Sequence, residues 1–221
     1  MADAPPFQAT YFCRQCKSAF LTPYPLDEGG VCLACRLHAT EFDAAYCYGG
    51  YEGNLPRLIH LFKYDGVESL AGPLGRLLLR GFPLNESPDA LVPVPLHWWK
   101  RLRRGFNQSQ LLARELSRGT GLPVWRALRR PSAGRPQVGL TPRERRENVK
   151  DRFRVASRKM VEGRSLLVVD DVLTTGATLN ACARVLKAAG AARVVILTLA
   201  RADRRPQHRM VEAVQAMGAS G

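Results

Sequence analysis

No run of apolar residues in this 221-residue chain approaches the ~18 needed to cross a bilayer as a helix, which excludes a helical membrane protein. The opening residues, Met1-Ala2-Asp3-Ala4-Pro5-Pro6, have neither the basic stretch nor the apolar core of a secretory signal, and a cytoplasmic location is expected. Lysine is scarce, with 6 residues against 27 arginines, so basicity alone says little about partners. Acidic residues are few as well, 19 against 33 basic ones, and are scarcest in one place. Residues 100–154 hold 4 acidic and 16 basic groups, a net +12, whereas residues 1–99 carry −3 and residues 155–221 carry +5. Charge gathered in one quarter of a chain points to an anionic partner. The hydrophobic content of 46% is ample for one ordinary domain with a small appendage.

The chain is organised around Leu166-Leu167-Val168-Val169-Asp170-Asp171-Val172-Leu173-Thr174-Thr175-Gly176-Ala177-Thr178. Four consecutive apolar residues suit a strand buried on both faces, which the two aspartates are expected to end. Beyond Gly176 the period becomes helical through Leu179, Cys182, Ala183 and Leu186, with Gly190 as the stop. A second apolar strand, Val194 to Leu199, completes a β-loop-α-β unit. Its loop lies at the carboxyl end of a parallel strand, where open α/β sheets bind ligands. Small hydroxyl residues and glycine opening a helix gather backbone N–H groups and the positive dipole end around one point, a geometry suited to phosphate. Asp170 and Asp171 cannot face that phosphate and are expected to serve a hydroxyl-bearing neighbour. A ribose phosphate meets both demands.

Cys13-x2-Cys16 and Cys32-x2-Cys35, separated by 15 residues, match the spacing of a structural zinc site. Pro23, Pro25, Gly29 and Gly30 between them make a ribbon too poor in apolar residues to fold without metal. Cys47 and Cys182 read as small buried residues, and His38 as solvent-facing or lying beside the ligands. The ribbon is expected to end at Gly49-Gly50, giving a tail and ribbon over 1–50, a main domain over 51–201 and a partly disordered tail over 202–221.

Within the main domain, Leu55, Leu58, Ile59 and Phe62 predict one helix, ended by Lys63-Tyr64-Asp65-Gly66. Lys63 there is an ordinary C-terminal cation. Leu70, Leu74, Leu77 and Leu78 predict a second helix, with Pro73 in its first turn. The two together are expected to cover one face of the sheet. A strand is expected to end near Val92–Val94, because Pro93 and Pro95 rule out an unbroken central strand. Arg101, Arg103 and Arg104 follow it, then a helix through Leu111, Leu112 and Leu116 that ends at Gly119. Trp98, Trp99 and Phe106 either stack on a base or pack the loop against the core. The segment from Arg129 to Lys150, with three prolines, two glycines and six arginines, reads as a loop that closes over a site.

The 13-residue run resembles the phosphoribosyl-pyrophosphate (PRPP) motif of the type I phosphoribosyltransferases. Pro93-Val94-Pro95-Leu96-His97, Arg104-Gly105-Phe106-Asn107-Gln108, Lys63-Tyr64, Gln137, Arg146-x-Asn148-Val149 and the four-cysteine ribbon narrow the resemblance to the competence-associated ComF/GntX family, over about residues 11–201. That resemblance implies an α/β type I phosphoribosyltransferase fold: a twisted, mostly parallel sheet flanked by helices, a small N-terminal zinc ribbon, a hood drawn from the elements before Ala90 and the ribbon, and a flexible loop. Asp170 and Asp171 are expected at the ribose hydroxyls as ionised acceptors. Thr174, Thr175, Gly176, Ala177 and Thr178 cradle the 5′-phosphate. Pyrophosphate is expected at the Leu96–His97 turn, with Arg101, Arg103 or Arg104 nearby. His97 orients that turn or touches phosphate, and Arg145 and Arg146 neutralise the leaving group. Magnesium arrives with PRPP, held mainly by ligand oxygens and water.

Three functions fit this reading. One is Mg-dependent transfer of ribose 5-phosphate from PRPP to a nitrogen acceptor. Another is a non-catalytic component for DNA uptake that binds PRPP, a nucleotide or single-stranded DNA, with aromatic and basic residues interleaved around Trp98–Phe106. The last is a zinc-ribbon adaptor that recruits competence proteins.

Overall fold

The computed structural model describes residues 11–20, 22–131 and 153–202, and its centre is the apolar run that begins at Leu166. The strand built on that run, β7 (Ser165–Leu173), lies between β4 (Ala90–Pro93) and β8 (Arg193–Arg201), and β3 (Ala44–Gly50) flanks β8. All the pairings in this sheet, ordered β3-β8-β7-β4, are parallel. A four-residue apolar run suits this place because alternate side chains enter different cores. Leu166 and Val168 join Val92, Val194 and Ile196 on one face; Leu167 and Val169 join Leu91, Val195 and Leu197 on the other. At roughly 1.5–3 kcal/mol for each fully buried aliphatic side chain, these strands anchor both layers.

The second face is covered by α2 (Leu55–Tyr64), α3 (Ala71–Arg80) and α5 (Gln108–Thr120), through Leu55, Ile59, Phe62, Leu74, Leu78, Leu112 and Leu116. The elements before Ala90 thus pack on the sheet, as their apolar periodicity indicated. Gly119 lies inside α5, and the helix ends at Thr120, followed by Gly121 in the left-handed region. The absence of a side chain at Gly119 serves approach rather than termination: a Cβ there would lie 2.6 Å from Leu79 of α3.

The first face carries α6 (Ala177–Ala188) and the ribbon, formed by β1 (Tyr11–Phe12), β2 (Ala19–Phe20) and α1 (Leu33–Arg36). The ribbon shares its core with the sheet: its four cysteines and Phe20 cluster with Phe42, Leu179, Val194 and Ile196. Its backbone is tied to β3 through Ala45 N–H to Cys16 O at 2.9 Å. Ala44–Gly50, placed by the sequence reading within the 1–50 ribbon region with its boundary at Gly49-Gly50, pairs with β8 from Ala44↔Val195 to Gly50↔Arg201 and belongs to the main sheet.

Two further sequence expectations differ from the structure. The aspartates do not end the apolar strand: β7 continues through them to Leu173, with Asp170 in register with Thr198. Trp98–Arg104, given no element in the sequence reading beyond the turn at Leu96–His97, is a short helix, α4. Pro93 is accommodated because the backbone of Leu91 on the same side turns away from β7, to Pro123 O and Trp125 N–H, so the missing N–H of Pro93 costs no bond within the sheet. A two-stranded antiparallel ladder, β5 (Leu128–Arg129) with β6 (Arg154–Val155), brackets most of the Arg129–Lys150 loop segment. Residues 132–152, with Gln137, Arg145, Arg146 and Asn148, and the tail after Ala202 lie outside the described residues. No helix of the described residues is long and apolar enough to cross a membrane.

Candidate functional site

Because β4 and β7 are parallel neighbours, their carboxyl ends open side by side, and α5 begins beside them. Beyond β7, Gly176 takes φ +74°, which only glycine adopts without strain, and turns the chain into α6. Asp170, Val172, Thr174, Thr175, Gly176, Ala177, Thr178 and Leu179 line a small cleft of about 60 Å³ at this turn. Thr174, Thr175, Ala177 and Thr178 are exposed, and Ala177 N–H at the start of α6 donates to Thr175 Oγ1 at 3.4 Å. All five residues expected to cradle a phosphate therefore stand together, with Asp170 beside them.

The two acids occupy different surroundings. Asp170 lines the cleft and accepts a hydrogen bond from Ser109 Oγ of α5 at 2.7 Å on Oδ1. Asp171 is only 4% exposed, and its Oδ1 is 2.8 Å from Lys63 Nζ at the end of α2. Its other oxygen, Oδ2, is buried with no hydrogen-bond partner among the described residues. Lys63 is thus a partner of the acidic pair rather than a cation idling at a helix end. Its sequence signal was only its place in Lys63-Tyr64, and Ser109 had no sequence signal of its own.

Burial, and next the adjacent charge of Asp171, push the Asp170 carboxyl up to about 7, against an ordinary value of 3.8; the Ser109 hydrogen bond opposes the rise. A carboxyl with a raised folded midpoint holds its proton longer when folded than when unfolded. Stability is therefore lost as pH rises from about 4 through about 7. Asp170→Asn removes that loss while keeping an acceptor for Ser109. The melting temperature of the variant is expected to exceed wild type by several degrees at about pH 8, and the gap to close near pH 4. Thermal melts across that range check it, and a gap that stays constant with pH contradicts it.

A second cavity, about 130 Å³, lies at the end of β4 and is lined by Pro93, Pro95, Leu96, Arg101, Asn107, Gln110, Arg126 and Leu128. Arg101 reaches it from α4, as expected. Arg126 was not anticipated: it sits in an irregular stretch after α5. With its amide oxygen turned toward that residue, Gln110 accepts from Arg126 Nε at 3.1 Å and Nη2 at 2.6 Å. Asn107 holds the region together by donating to Val94 O at 3.0 Å and accepting from Ser109 N–H at 3.1 Å.

Other candidates lie elsewhere. His97 is the N-cap of α4, its Nδ1 accepting from Trp99 N–H at 3.4 Å, and it lines neither cavity. Arg104 stacks its guanidinium over Tyr64, 4.7 Å from the ring centroid, and also lines neither. Phe106 packs into the core against Phe62, whereas Trp98 and Trp99 stay 51% and 59% exposed.

In the ribbon, the sulfurs of Cys13, Cys16, Cys32 and Cys35 all lie within 4.8 Å of one another and are buried. Cys13–Cys35 and Cys16–Cys32 are each separated by 3.8 Å. A tetrahedral ion with metal–sulfur bonds of about 2.3 Å needs sulfur–sulfur edges of about 3.8 Å, so the donor set fits zinc. The shared hydrogen bond holds Cys16 below the ordinary thiol range and pushes Cys32 above it. His38 is exposed at φ +49° and is not part of the sulfur cluster.

A phosphoribosyl transferase domain model matches residues 78–216, more than half of the chain. The chain belongs to the phosphoribosyl transferase domain family. Within it, the chain is 34% identical over 180 residues to competence protein F of Haemophilus influenzae, covering 77% of this chain and 78% of that one. It is 39% identical over 178 residues to the DNA utilization protein YhgH of Escherichia coli K12, covering 77% of each. Among solved structures, a glutamine PRPP amidotransferase from B. subtilis complexed with ADP and GMP is similar over 70% of this chain, at 23% identity and a TM-score of 0.46. The chain spans about a third (34%) of that structure's length. The matched region contains β4, β7, α6 and both cavities, with Lys63 of α2 lying before it, and the ComF resemblance read from the motifs holds.

Proposed function

We propose that this chain binds PRPP with magnesium and transfers ribose 5-phosphate to a nitrogen acceptor, in the context of DNA uptake or utilisation that the names of its relatives indicate. The observation that carries the reading is the cleft in which Thr174–Thr178 open a helix beside a half-covered carboxylate, Asp170. The 5′-phosphate takes the N–H groups and threonine hydroxyls of that turn. The ribose hydroxyls take Asp170 and Asp171. Pyrophosphate extends toward the β4–α4 turn, where Arg101 and Arg126 supply positive charge, and Arg146 joins them as charge develops on the leaving group. Arg104 and His97 support this turn rather than touch the ligand. Magnesium, held mainly by ligand oxygens and water, supplies charge neutralisation at the pyrophosphate. Cys13, Cys16, Cys32 and Cys35 hold a structural zinc with no open position, so the metal contributes folding and not chemistry.

A second reading rests on α4. Trp98 and Trp99 are exposed beside exposed Arg101 and Arg103, a surface on which the bases of a single strand would stack, with PRPP bound but not turned over. One experiment separates the two. Exchange of labelled pyrophosphate into PRPP is measured across a panel of nitrogen bases. Transfer predicts exchange with at least one base and loss of exchange in Asp170→Ala. Saturable PRPP binding with no exchange on any base would leave the non-catalytic reading.

A further inference from the structure

The acids at the end of β7 are each gripped from the second helical layer, and the grip is incomplete in an informative way. Lys63 comes from the last turn of α2 and takes Asp171 Oδ1; Ser109 comes from the first turn of α5 and takes Asp170 Oδ1. A buried ion pair built for stability alone would satisfy both carboxylate oxygens, because an unpartnered buried oxygen is costly. Here Asp171 Oδ2 is buried and has no partner among the described residues, and Asp170 faces the cleft.

The geometry points to Lys63 and Ser109 as positioning residues that pre-set the two aspartates for a vicinal diol. Ser109 holds one oxygen of Asp170 and leaves its other acceptor to the cleft, whereas Lys63 fixes Asp171 directly behind it, whose Oδ2 is buried and does not line the cleft. This inference rests on the proposed ribose-phosphate site and adds what makes that site select ribose. Two carboxylates on adjacent residues repel, and a proton shared between them would turn an acceptor into a donor. Lys63 opposes this from the Asp171 side: its ammonium pairs with the buried acid without consuming Oδ2 and draws the Asp170 carboxyl downward. The other groups facing the pair are few. Cys182 of α6 stands near Asp170 as a neutral thiol, its pKa raised by burial, and Thr198 of β8 is in register with Asp170. Arg130 also acts on that thiol electrostatically, and Lys63 pairs directly with Asp171 at 2.8 Å.

The consequence is discrimination between ribose and 2-deoxyribose. A site whose buried acceptors are aimed at a diol rejects an analogue that lacks one hydroxyl, because an acceptor is then left unpaired. Ribose 5-phosphate and 2-deoxyribose 5-phosphate serve as probes, titrated by calorimetry into wild type, Lys63→Met, Lys63→Arg and Ser109→Ala. Wild type is expected to favour ribose by roughly ten-fold or more. Lys63→Met is expected to lose most of that preference while still binding both sugars through the phosphate. Lys63→Arg, which keeps the charge, is expected to recover part of it. Ser109→Ala, which changes no charge and folds without Lys63→Met's risk, is expected to lower the preference and raise the pH at which ribose binding is half-maximal. Undiminished discrimination in Lys63→Met, or in Ser109→Ala if Lys63→Met does not fold, overturns the inference. If wild type binds neither sugar phosphate, the ribose-phosphate reading itself fails. Carboxyl NMR titration then still decides the role of the two residues: a midpoint for Asp170 that rises above wild type in Lys63→Met and in Ser109→Ala supports the inference. Identical titrations in wild type and variants overturn it.

Discussion

Cys16→Ser is expected to lower the melting temperature of the entire chain by roughly 10 °C or more and to abolish stoichiometric zinc. The size of the effect follows from two features. Zinc held by four thiolates would supply most of the folding energy of a ribbon this small, about 10–16 kcal/mol in isolated zinc-binding peptides. The ribbon is also not a separate bead: Phe20 and the four cysteines share a core with Leu179, Val194 and Ile196, and Glu41 N–H donates to Asn180 Oδ1 of α6 at 3.0 Å. Losing the metal therefore uncovers the first face of the sheet and one side of the helix that opens at the candidate phosphate site. Only part of the metal's binding energy reaches the main domain, and a loss of about 4 kcal/mol there is enough for the stated shift. Calorimetry should show one transition moving down as a whole. An unchanged transition, with zinc absent from wild type by elemental analysis, contradicts the metal assignment.

The second large effect is at the phosphate turn. Thr178 is exposed at the second helical position of α6 and lines the cleft. Thr178→Asp places a carboxylate in the first turn of a helix, where the dipole favours it by roughly 0.3–1 kcal/mol, so the fold should be unharmed or slightly firmer. The same carboxylate opposes a phosphate bound at that turn. Two like charges about 4 Å apart repel by about 1–4 kcal/mol at effective dielectric constants between bulk water and a protein surface, and a phosphate carries more than one charge. PRPP affinity is expected to fall by roughly a hundred-fold while the melting temperature holds. A change that keeps the fold and removes binding separates site from scaffold more cleanly than substituting Asp171, whose loss would strand Lys63 in a half-buried place.

What could be read from the sequence follows from what is local. The run Leu166–Thr178 announces a buried strand, a glycine turn and a helix start in one string, so strand, turn and helix start were all legible. The cysteine spacing was equally local. Contacts that join distant segments left weaker marks. Lys63 and Asp171 are far apart in the chain and meet only because α2 lies across the sheet. Arg126 lies in a stretch without periodicity, and nothing marks it until the end of β4 brings it opposite Arg101. Helix α4 escaped because its apolar residues, Trp98, Trp99 and Leu102, face solvent, and a helix without a buried stripe has no periodic signal against a core. Gly49-Gly50 read as a linker because glycine pairs commonly punctuate chains; here they end an edge strand, and a Cβ on Gly49 would meet Leu55 of α2 at 3.5 Å.

The central claim, that the turn after β7 holds the 5′-phosphate of PRPP, is tested most directly by isothermal titration of PRPP with magnesium into wild type and Thr178→Asp under identical conditions. The account predicts saturable binding near one PRPP per chain in wild type, and at least about a hundred-fold weaker binding in the variant at an unchanged melting temperature. Equal affinity in the two proteins would place PRPP elsewhere and contradict it.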